Sequence, residues 1–207
     1  MRDEKPASGG LMKSMGRAFF RARIPILTVA LTYAVSVAIG MILVHTGNAF
    51  ALNQRDQIVS GAQSIPILTA LDQNNRLVAG LLDFGGNLLA AVSTTVAGLG
   101  VIFAYPIVAY RGWIGGIVSI DGAHVSRLAN PHEAAYYLIT LVLQLIPYSI
   151  TGGAGVNMGL AYLKPKTEYQ GKKWLGIPAE AVRDVVRIYL MAAPLFLLAS
   201  VWEFFAR

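Results

Sequence analysis

The chain has 207 residues, of which 55% are hydrophobic and only 14% are charged, and its mean hydropathy is +0.55. Soluble domains carry about 25% charged residues, so this composition excludes an ordinary soluble fold and predicts an integral membrane protein. The net charge of +6 comes from lysines and arginines beside apolar runs. Basic residues beside apolar runs are typical of the cytoplasmic ends of membrane spans, where they also contact anionic lipid. The pattern therefore argues against a nucleic-acid-binding protein.

Residues 1–23 form a polar segment that becomes basic before the first apolar run. We expect it to be cytoplasmic and to lie at the membrane interface, because cationic side chains interleaved with aromatic ones favour anionic lipid. The residues behind this prediction are Lys13, Arg17, Phe19, Phe20, Arg21 and Arg23. Residues 24–207 are then a single membrane domain.

A helix needs about 20 apolar residues to cross a bilayer. The chain has five continuous apolar runs of about this length, which predict an all-α polytopic bundle with five spans. The runs are not the alternating segments of a barrel. The predicted spans are 25–44, 77–97, 101–120, 134–162 and 178–205. Between the first two lies the longest loop, residues 46–78. Gly98-Leu99-Gly100 is the expected break between the second and third spans, and Pro147 and Gly152-Gly153 are expected to interrupt the fourth.

The link over residues 163–177 carries most of the remaining basic charge: Lys164, Lys166, Lys172 and Lys173. With the N-terminus in the cytoplasm, five spans bring this link back to the cytoplasm and leave the C-terminus outside. The positive-inside rule favours this arrangement. The expected location is the bacterial inner membrane.

Small residues recur at spacings that bring two helix backbones together. Gly112 and Gly116 form one G-x-x-x-G pair, and Gly155 and Gly159 form another. Further small positions of the same kind are Gly85, Gly86 and Gly152. Such faces serve packing inside one subunit or contact with a partner membrane protein, and the spacing is compatible with both.

Arg111 is the most costly residue inside the predicted spans, at about 2.5–3.5 kcal/mol on insertion scales. It is expected to face the bundle interior. The polar residues on neighbouring spans that could bind it are Asp83, Asn87, Gln144 and Asn157. The arginine then marks a polar pathway or a docking charge, or else it is a structural hydrogen-bond hub or lies nearer the interface.

No pattern of residues predicts catalysis, a metal site or a cofactor. Asp121, His124, His132 and Glu133 gather around one link, where solvated or capping roles are favoured over zinc ligation. The spans also contain hydroxyl side chains, but none has a histidine or lysine at a suitable spacing. The chain has no cysteine, and no nucleotide-binding or metalloprotease motif is present.

Three stretches resemble the stage II sporulation protein M family of multi-spanning bacterial membrane proteins. They are GGNLLAAVSTTVAGLG at 85–100, YRGWIGG at 110–116 and QLIPYSITGGAGVNMGL at 144–160. Gln144 stands where the family has an acidic residue. The resemblance implies a non-enzymatic membrane component that works in a complex with other proteins.

The sequence therefore favours a scaffold or assembly subunit that packs against other integral membrane proteins or against a second copy of itself. The alternative is the membrane component of a transporter or exporter, with a polar pathway near Arg111. A cavity that reaches Arg111 would favour the transporter, and a dry, fully paired arginine would favour the scaffold. An intramembrane enzyme ranks last.

Overall fold

The computed structural model describes residues 10–62, 66–164 and 167–206, and this part of the chain is almost entirely helical. The elements, in chain order, are α1 (Leu11–His45), α2 (Ala49–Ala62), α3 (Pro66–Asp72), α4 (Arg76–Ala97), α5 (Ala104–Ile117), α6 (Pro131–Leu163), β1 (Lys173–Trp174), β2 (Ile177–Pro178) and α7 (Ala179–Phe205). Short 3₁₀ turns cover 98–100, 127–129 and 167–169. The all-α class is thus confirmed.

Four helices among the described residues are long and apolar enough to cross a membrane: α1, α4 with its 3₁₀ turn, α6 and α7. The predicted span at 101–120 is not confirmed. Its helix, α5, has 14 residues, which is about 21 Å of helix against a hydrocarbon core of about 30 Å. It starts late because the chain first makes a tight turn at Val101, whose φ is 58°.

Helix α1 begins at Leu11, and not near Pro25 as predicted, so the basic segment is part of the same helix as the first span. Pro25 is buried inside the helix. The turns before it stay helical because Ala18 and Ala22 are fully buried and pack in one cluster with Ile188 and Ala192 of α7.

The predicted interruption of the fourth span is also wrong, because α6 is continuous from Pro131 to Leu163. Proline is tolerated inside apolar helices when neighbours satisfy the freed backbone groups. Pro147 is fully buried among the neighbouring helices, whose packing keeps the chain helical at this point. Gly153 stays helical because α1 packs on it so closely that an added Cβ would overlap Ile26.

The stretch predicted as the longest loop, 46–78, contains helices α2 and α3; residues 63–65 lie outside the described part. Helix α2 covers one end of the bundle, where Ala51 clusters with Val44 and Ile117. Phe50 also contacts Trp113, with ring centroids 6.1 Å apart. The apolar residues of α2 therefore pack on the end of the bundle, and this contact explains why an otherwise polar stretch is helical.

Helices α1, α5 and α7 run in one direction, and α4 and α6 run in the other. Helix α6 lies in the middle and contacts all of them. The pairs that establish the directions are Tyr33–Gly112, Val37–Gly116, Arg111–Tyr148, Gly115–Tyr137, Thr95–Thr151, Gly98–Gly155, Thr95–Tyr189 and Asp83–Ser200.

The two ends of the bundle therefore have different contents. One end, which we call the basic end, holds the start of α1, the 98–103 turn, the 164–178 link and the start of α7. The opposite end, which we call the far end, holds α2, α3, the 118–130 link and the end of α7. In the basic-end link, Leu175 and Gly176 have positive φ angles and join β1 to β2 in a two-residue hairpin turn.

Five of the seven glycines singled out in the sequence lie where helices cross within this chain. An added Cβ would overlap the carbonyl oxygens of Tyr33 at Gly112, Val37 at Gly116, Thr95 at Gly155 and Gly98 at Gly159, and would press on Val29 at Gly152. In contrast, no atom of residues 10–62, 66–164 and 167–206 lies within 4 Å of a Cβ added at Gly85 or Gly86 on α4.

Candidate polar cavity

A cavity of about 350 Å³ opens between α4, α5, α6 and α7 in the far half of the bundle. Its wall contains apolar and aromatic side chains together with six charged or amide residues: Asp83, Asn87, Arg111, Arg127, Gln144 and Glu203. The helices that form it come from four separate parts of the chain. A concave site with a few converging polar groups is the usual form of a small-molecule site.

Arg111 lies at the deep end of this cavity, near the middle of α5. Its Nη1 donates to the hydroxyl oxygen of Tyr148 at 2.6 Å. The guanidinium carbon also lies 4.4 Å from the centroid of the Tyr148 ring, a cation–π contact. Tyr148 is itself held in place by an edge-on contact with Phe196, with centroids 4.9 Å apart.

A chain of hydrogen bonds continues from Tyr148 to a carboxylate on α4. The Tyr148 hydroxyl donates to Asn87 Oδ1 at 2.7 Å. Asn87 Nδ2 then donates to Asp83 Oδ2 at 2.9 Å, and Ser200 Oγ donates to the same oxygen at 2.6 Å. These bonds fix the orientation of Asp83, which is one helical turn from Asn87.

Two buried polar atoms of the cavity, Gln144 Oε1 and Arg127 Nε, have no hydrogen-bond partner among the residues that the structure describes. None of the ion pairs within 4.0 Å in the described ranges involves Arg111, Arg127, Asp83 or Glu203. Since a buried polar group without a partner costs about 1–3 kcal/mol, the cavity suits an occupant with polar atoms.

Three of the four polar residues singled out in the sequence meet here, since Asn87, Arg111 and Gln144 all line the cavity. Asn157, proposed as a partner of Arg111, does not. It lies 13 positions after Gln144 on α6, about 20 Å along a helix, and its Nδ2 donates to Tyr169 at 2.7 Å near the basic end.

Glu203 and Arg127 were not identified as site residues from the sequence. Glu203 lies two residues before the end of α7 and Arg127 in a 3₁₀ turn, so both resemble ordinary interfacial charges. An acid in the last turn of an apolar helix was the one available signal for Glu203. Only the approach of α7 to α6, where the Tyr136 hydroxyl donates to the Glu203 carbonyl at 2.7 Å, brings it to the cavity.

One cluster of charges at the basic end, in contrast, is closely paired. Asp184 on α7 is 1% exposed and pairs with Arg21 and with Arg187, whose Nη1 lies 2.9 Å from Asp184 Oδ1. Glu180 binds the same two arginines. These ion pairs join the start of α7 to α1.

Tyr169, in the link before α7, completes this cluster. Burial raises the pKa of its hydroxyl to about 12, so the hydroxyl stays protonated at neutral pH. It donates to Asp184 Oδ2 at 3.1 Å and accepts from Asn157. The cluster therefore ties α1, α6, α7 and the link together.

Of the four residues considered for zinc, Asp121 and His124 lie in the 118–130 link, and His132 and Glu133 lie in the first turn of α6. Asp121 and His124 do not share a helix face, since this part of the link is not helical. Asp121 Oδ1 instead accepts the backbone N–H groups of Ala123 and Val125, the second of which chiefly lowers the pKa of the carboxyl. No group of three His, Cys, Asp or Glu side chains within residues 10–62, 66–164 and 167–206 could hold a metal ion.

The hydroxyl groups in the spans are used in packing. Thr95 Oγ1, for example, donates to the Thr151 carbonyl at 3.0 Å, and Thr94 Oγ1 donates to the Ala90 carbonyl at 2.8 Å.

Comparisons with protein-family models, with curated proteins and with solved structures found no match. The resemblance to the stage II sporulation protein M family stays a prediction.

Proposed function

We propose that this protein is the membrane component of a transporter, which admits a small polar solute from the far end into the cavity at Arg111. The observation that carries the proposal is the cavity itself. It reaches an arginine at mid-bundle that has no carboxylate partner among the described residues. Charged residues inside membrane bundles commonly mark substrate or ion pathways.

The packing at the basic end supports a one-sided opening in this conformation. Gly98 lies against Gly155 so closely that no side chain would fit between their backbones. About one helical turn from Gly98, the hydroxyl groups of Thr95 and Tyr189 form a hydrogen bond, with 2.8 Å between their oxygen atoms. Transport would then need the α4–α5 turn to move away from α6, as expected for alternating access.

The charge distribution supports a bacterial inner-membrane orientation with the basic end in the cytoplasm. Lysines and arginines at that end include Lys13, Arg17, Lys172 and Lys173, whereas Asp56, Asp72, Asp121 and Glu133 lie at the far end. Helix α5 would be a short fifth crossing, which leaves the C-terminus outside. Lys13, Arg17 and Phe20 border a groove near Glu168 that suits anionic lipid.

A specific observation also supports the scaffold function. Gly85 and Gly86 lie on an exposed part of α4, and no described residue packs on them. Small residues allow a partner helix to approach closely. We propose a partner membrane protein, or a second copy of this chain, as the occupant of this face, and the two functions are compatible.

Cysteine labelling tests the transport function directly, because the chain has no cysteine of its own. A Gln144→Cys variant in membrane vesicles is treated with a membrane-impermeant thiosulfonate, applied to right-side-out and to inverted vesicles. Val142→Cys is the matched control, since Val142 is on the same helix but 53% exposed on the outside of the bundle. A thiol that faces lipid does not ionise and reacts slowly.

The transporter predicts that Gln144→Cys reacts in right-side-out vesicles, and more slowly in inverted ones, at rates about tenfold or more above the control. Reaction from one side alone would mean that the cavity is a binding site open to that side and not a transport pathway. Failure to react from either side would mean a dry cavity and would leave the scaffold as the better function.

A further inference from the structure

The charged residues of the cavity are sorted by sign between its walls. The basic residues, Arg111 and Arg127, come from α5 and from the link after it. The acidic residues, Asp83 and Glu203, come from α4 and α7. Helix α6 lies between these pairs and contributes uncharged polar groups, among them Gln144 and the Tyr148 hydroxyl.

The two walls do not neutralise each other by direct contact. Asp83 and Glu203 form no ion pair within 4.0 Å with either arginine, as far as the chain is described. Hydrogen bonds from Asn87 and Ser200 hold Asp83 on its own wall, and Tyr148 holds Arg111 on the other. Opposite charges are thus kept apart across a space of about 350 Å³.

The two walls carry opposite kinds of group, two arginines on one and two acids on the other, and this decides what would bind well. A simple anion would satisfy the arginines but not the acidic wall, and a simple cation would satisfy the acidic wall but not the arginines. A solute with a carboxylate at one end and an ammonium group at the other satisfies both walls. Charge-assisted hydrogen bonds of this kind are about twice as strong as neutral ones.

The unpartnered atoms match the same kind of solute. Among the described residues, the hydrogen bond recorded for the Arg111 guanidinium is the one to Tyr148, and Arg127 Nε makes none. These suit a carboxylate, because a guanidinium binds it through two parallel hydrogen bonds. Gln144 Oε1 is a free acceptor that suits an ammonium N–H.

We propose that the cavity binds a small zwitterion of the amino-acid class, with its carboxylate toward Arg111 and its ammonium group toward Asp83 and Glu203. This inference rests on the proposed function for the entry of the solute, but it adds the substrate class. It requires both charges on one molecule, so removing either charge from the solute must abolish most of the binding.

The experiment uses the full chain in lipid nanodiscs at neutral pH, with each natural L-amino acid tested separately as the probe. Binding is read from the rise in the thermal midpoint and then by calorimetry. Every amino acid that binds is compared with its N-acetyl derivative, which keeps only the carboxylate, and with its amide, which keeps only the ammonium group.

We expect at least one amino acid to bind, and both of its derivatives to bind about tenfold more weakly or worse, since each loses a charge-assisted contact. Arg111→Gln and Glu203→Gln should each weaken binding by a similar factor. Asp121→Asn, a far-end carboxyl outside the cavity lining, should leave binding unchanged. Variants that fail to fold would show no cooperative thermal transition and are replaced by Arg111→Lys and Asp83→Asn.

Equal binding of the amino acid and its N-acetyl derivative would overturn the inference, because the site would then recognise only the anion. Absence of binding by all amino acids would also overturn it. Labelling of Gln144→Cys is a separate readout, so a wet cavity that binds no zwitterion refutes the substrate class and leaves the transporter standing.

Discussion

The two halves of the bundle handle charged residues in opposite ways. At the basic end, Asp184 is fully enclosed and pairs with Arg21 and Arg187, which also bind Glu180. In the far half, Arg111 lies beside a cavity with opposite charges kept at a distance. The contact between Gly98 and Gly155 closes the basic half, whereas the far half keeps an open space lined by polar groups. A charged residue in an apolar bundle can therefore stabilise helix packing through ion pairs or form part of a binding site. The residues around it determine which role it has.

The largest expected effect comes from breaking the paired cluster. Asp184→Ala should lower the free energy of unfolding by about 3–5 kcal/mol, because it leaves Arg21 and Arg187 without their buried partner. Arg183→Ala is the matched control and should change the free energy by about 0–1 kcal/mol, since Arg183 is 68% exposed. Reversible unfolding in mixed detergent measures both. Similar losses of unfolding free energy in the two variants would contradict a stabilising role for the Asp184 ion pairs.

A glycine contact should have the next largest effect. Gly155→Ala places a methyl group against the backbone of Thr95 and should cost about 1–3 kcal/mol through overpacking. Gly85→Ala adds the same group at a position where no atom of the described chain lies within 4 Å. We expect this control to keep its thermal midpoint or to gain slightly, because alanine favours the helix. Equal midpoints for the two variants would show that the α4–α6 contact is looser than described.

Removing a charge from the cavity should barely change stability. Arg111→Gln should shift the free energy of unfolding by less than about 1 kcal/mol, because the guanidinium has no carboxylate partner whose charge would be left uncompensated. The same unfolding assay sharpens the comparison with Asp184→Ala. A loss as large as that of Asp184→Ala would mean that Arg111 is a structural hub and not part of a binding site.

The smallest expected effect is the acid sensitivity of the far-end link. Folding lowers the pKa of the Asp121 carboxyl, chiefly through its hydrogen bond from the Val125 backbone N–H. Such a group stabilises the fold above its unfolded pKa of about 3.9, and this contribution is lost as pH falls through the lower folded pKa. Between pH 5 and pH 3 the wild-type midpoint should therefore fall slightly more than that of Asp121→Ala. Parallel falls would indicate that the link does not hold its carboxylate in this turn.

Patterns that depend on local chemistry could be predicted from the sequence. Apolar runs gave the four long helices, and Gly98-Leu99-Gly100 marked the turn after α4, because both signals lie within the segment concerned. The bounds of α1 and the continuity of α6 were missed. Ala18, Ala22 and Gly153 stay helical because of side chains from distant elements, and no pattern near Pro25 or Pro147 reports those contacts.

The candidate site was predictable in part for a similar reason. Arg111, Asn87 and Gln144 stand out as polar residues in apolar segments, so their presence in one cavity follows from burial alone. Arg127 and Glu203 lie near helix ends, where charged residues are common. Asn157 belongs to the other cluster, because it lies about 20 Å along α6 from Gln144. The separation of charges between two walls needs the directions of four helices.

The central claim is that the polar cavity ends at Arg111 and that the basic half beyond it is closed. A series of single cysteines along α6 tests this most directly, with an impermeant thiosulfonate applied from the far end. Thr140→Cys and Gln144→Cys line the cavity, whereas Thr151→Cys and Met158→Cys lie in the packed half. We predict that the first two react and the last two do not. Equal reaction at all four positions would mean an open pore, and no reaction at Thr140 and Gln144 would mean that the cavity holds no water.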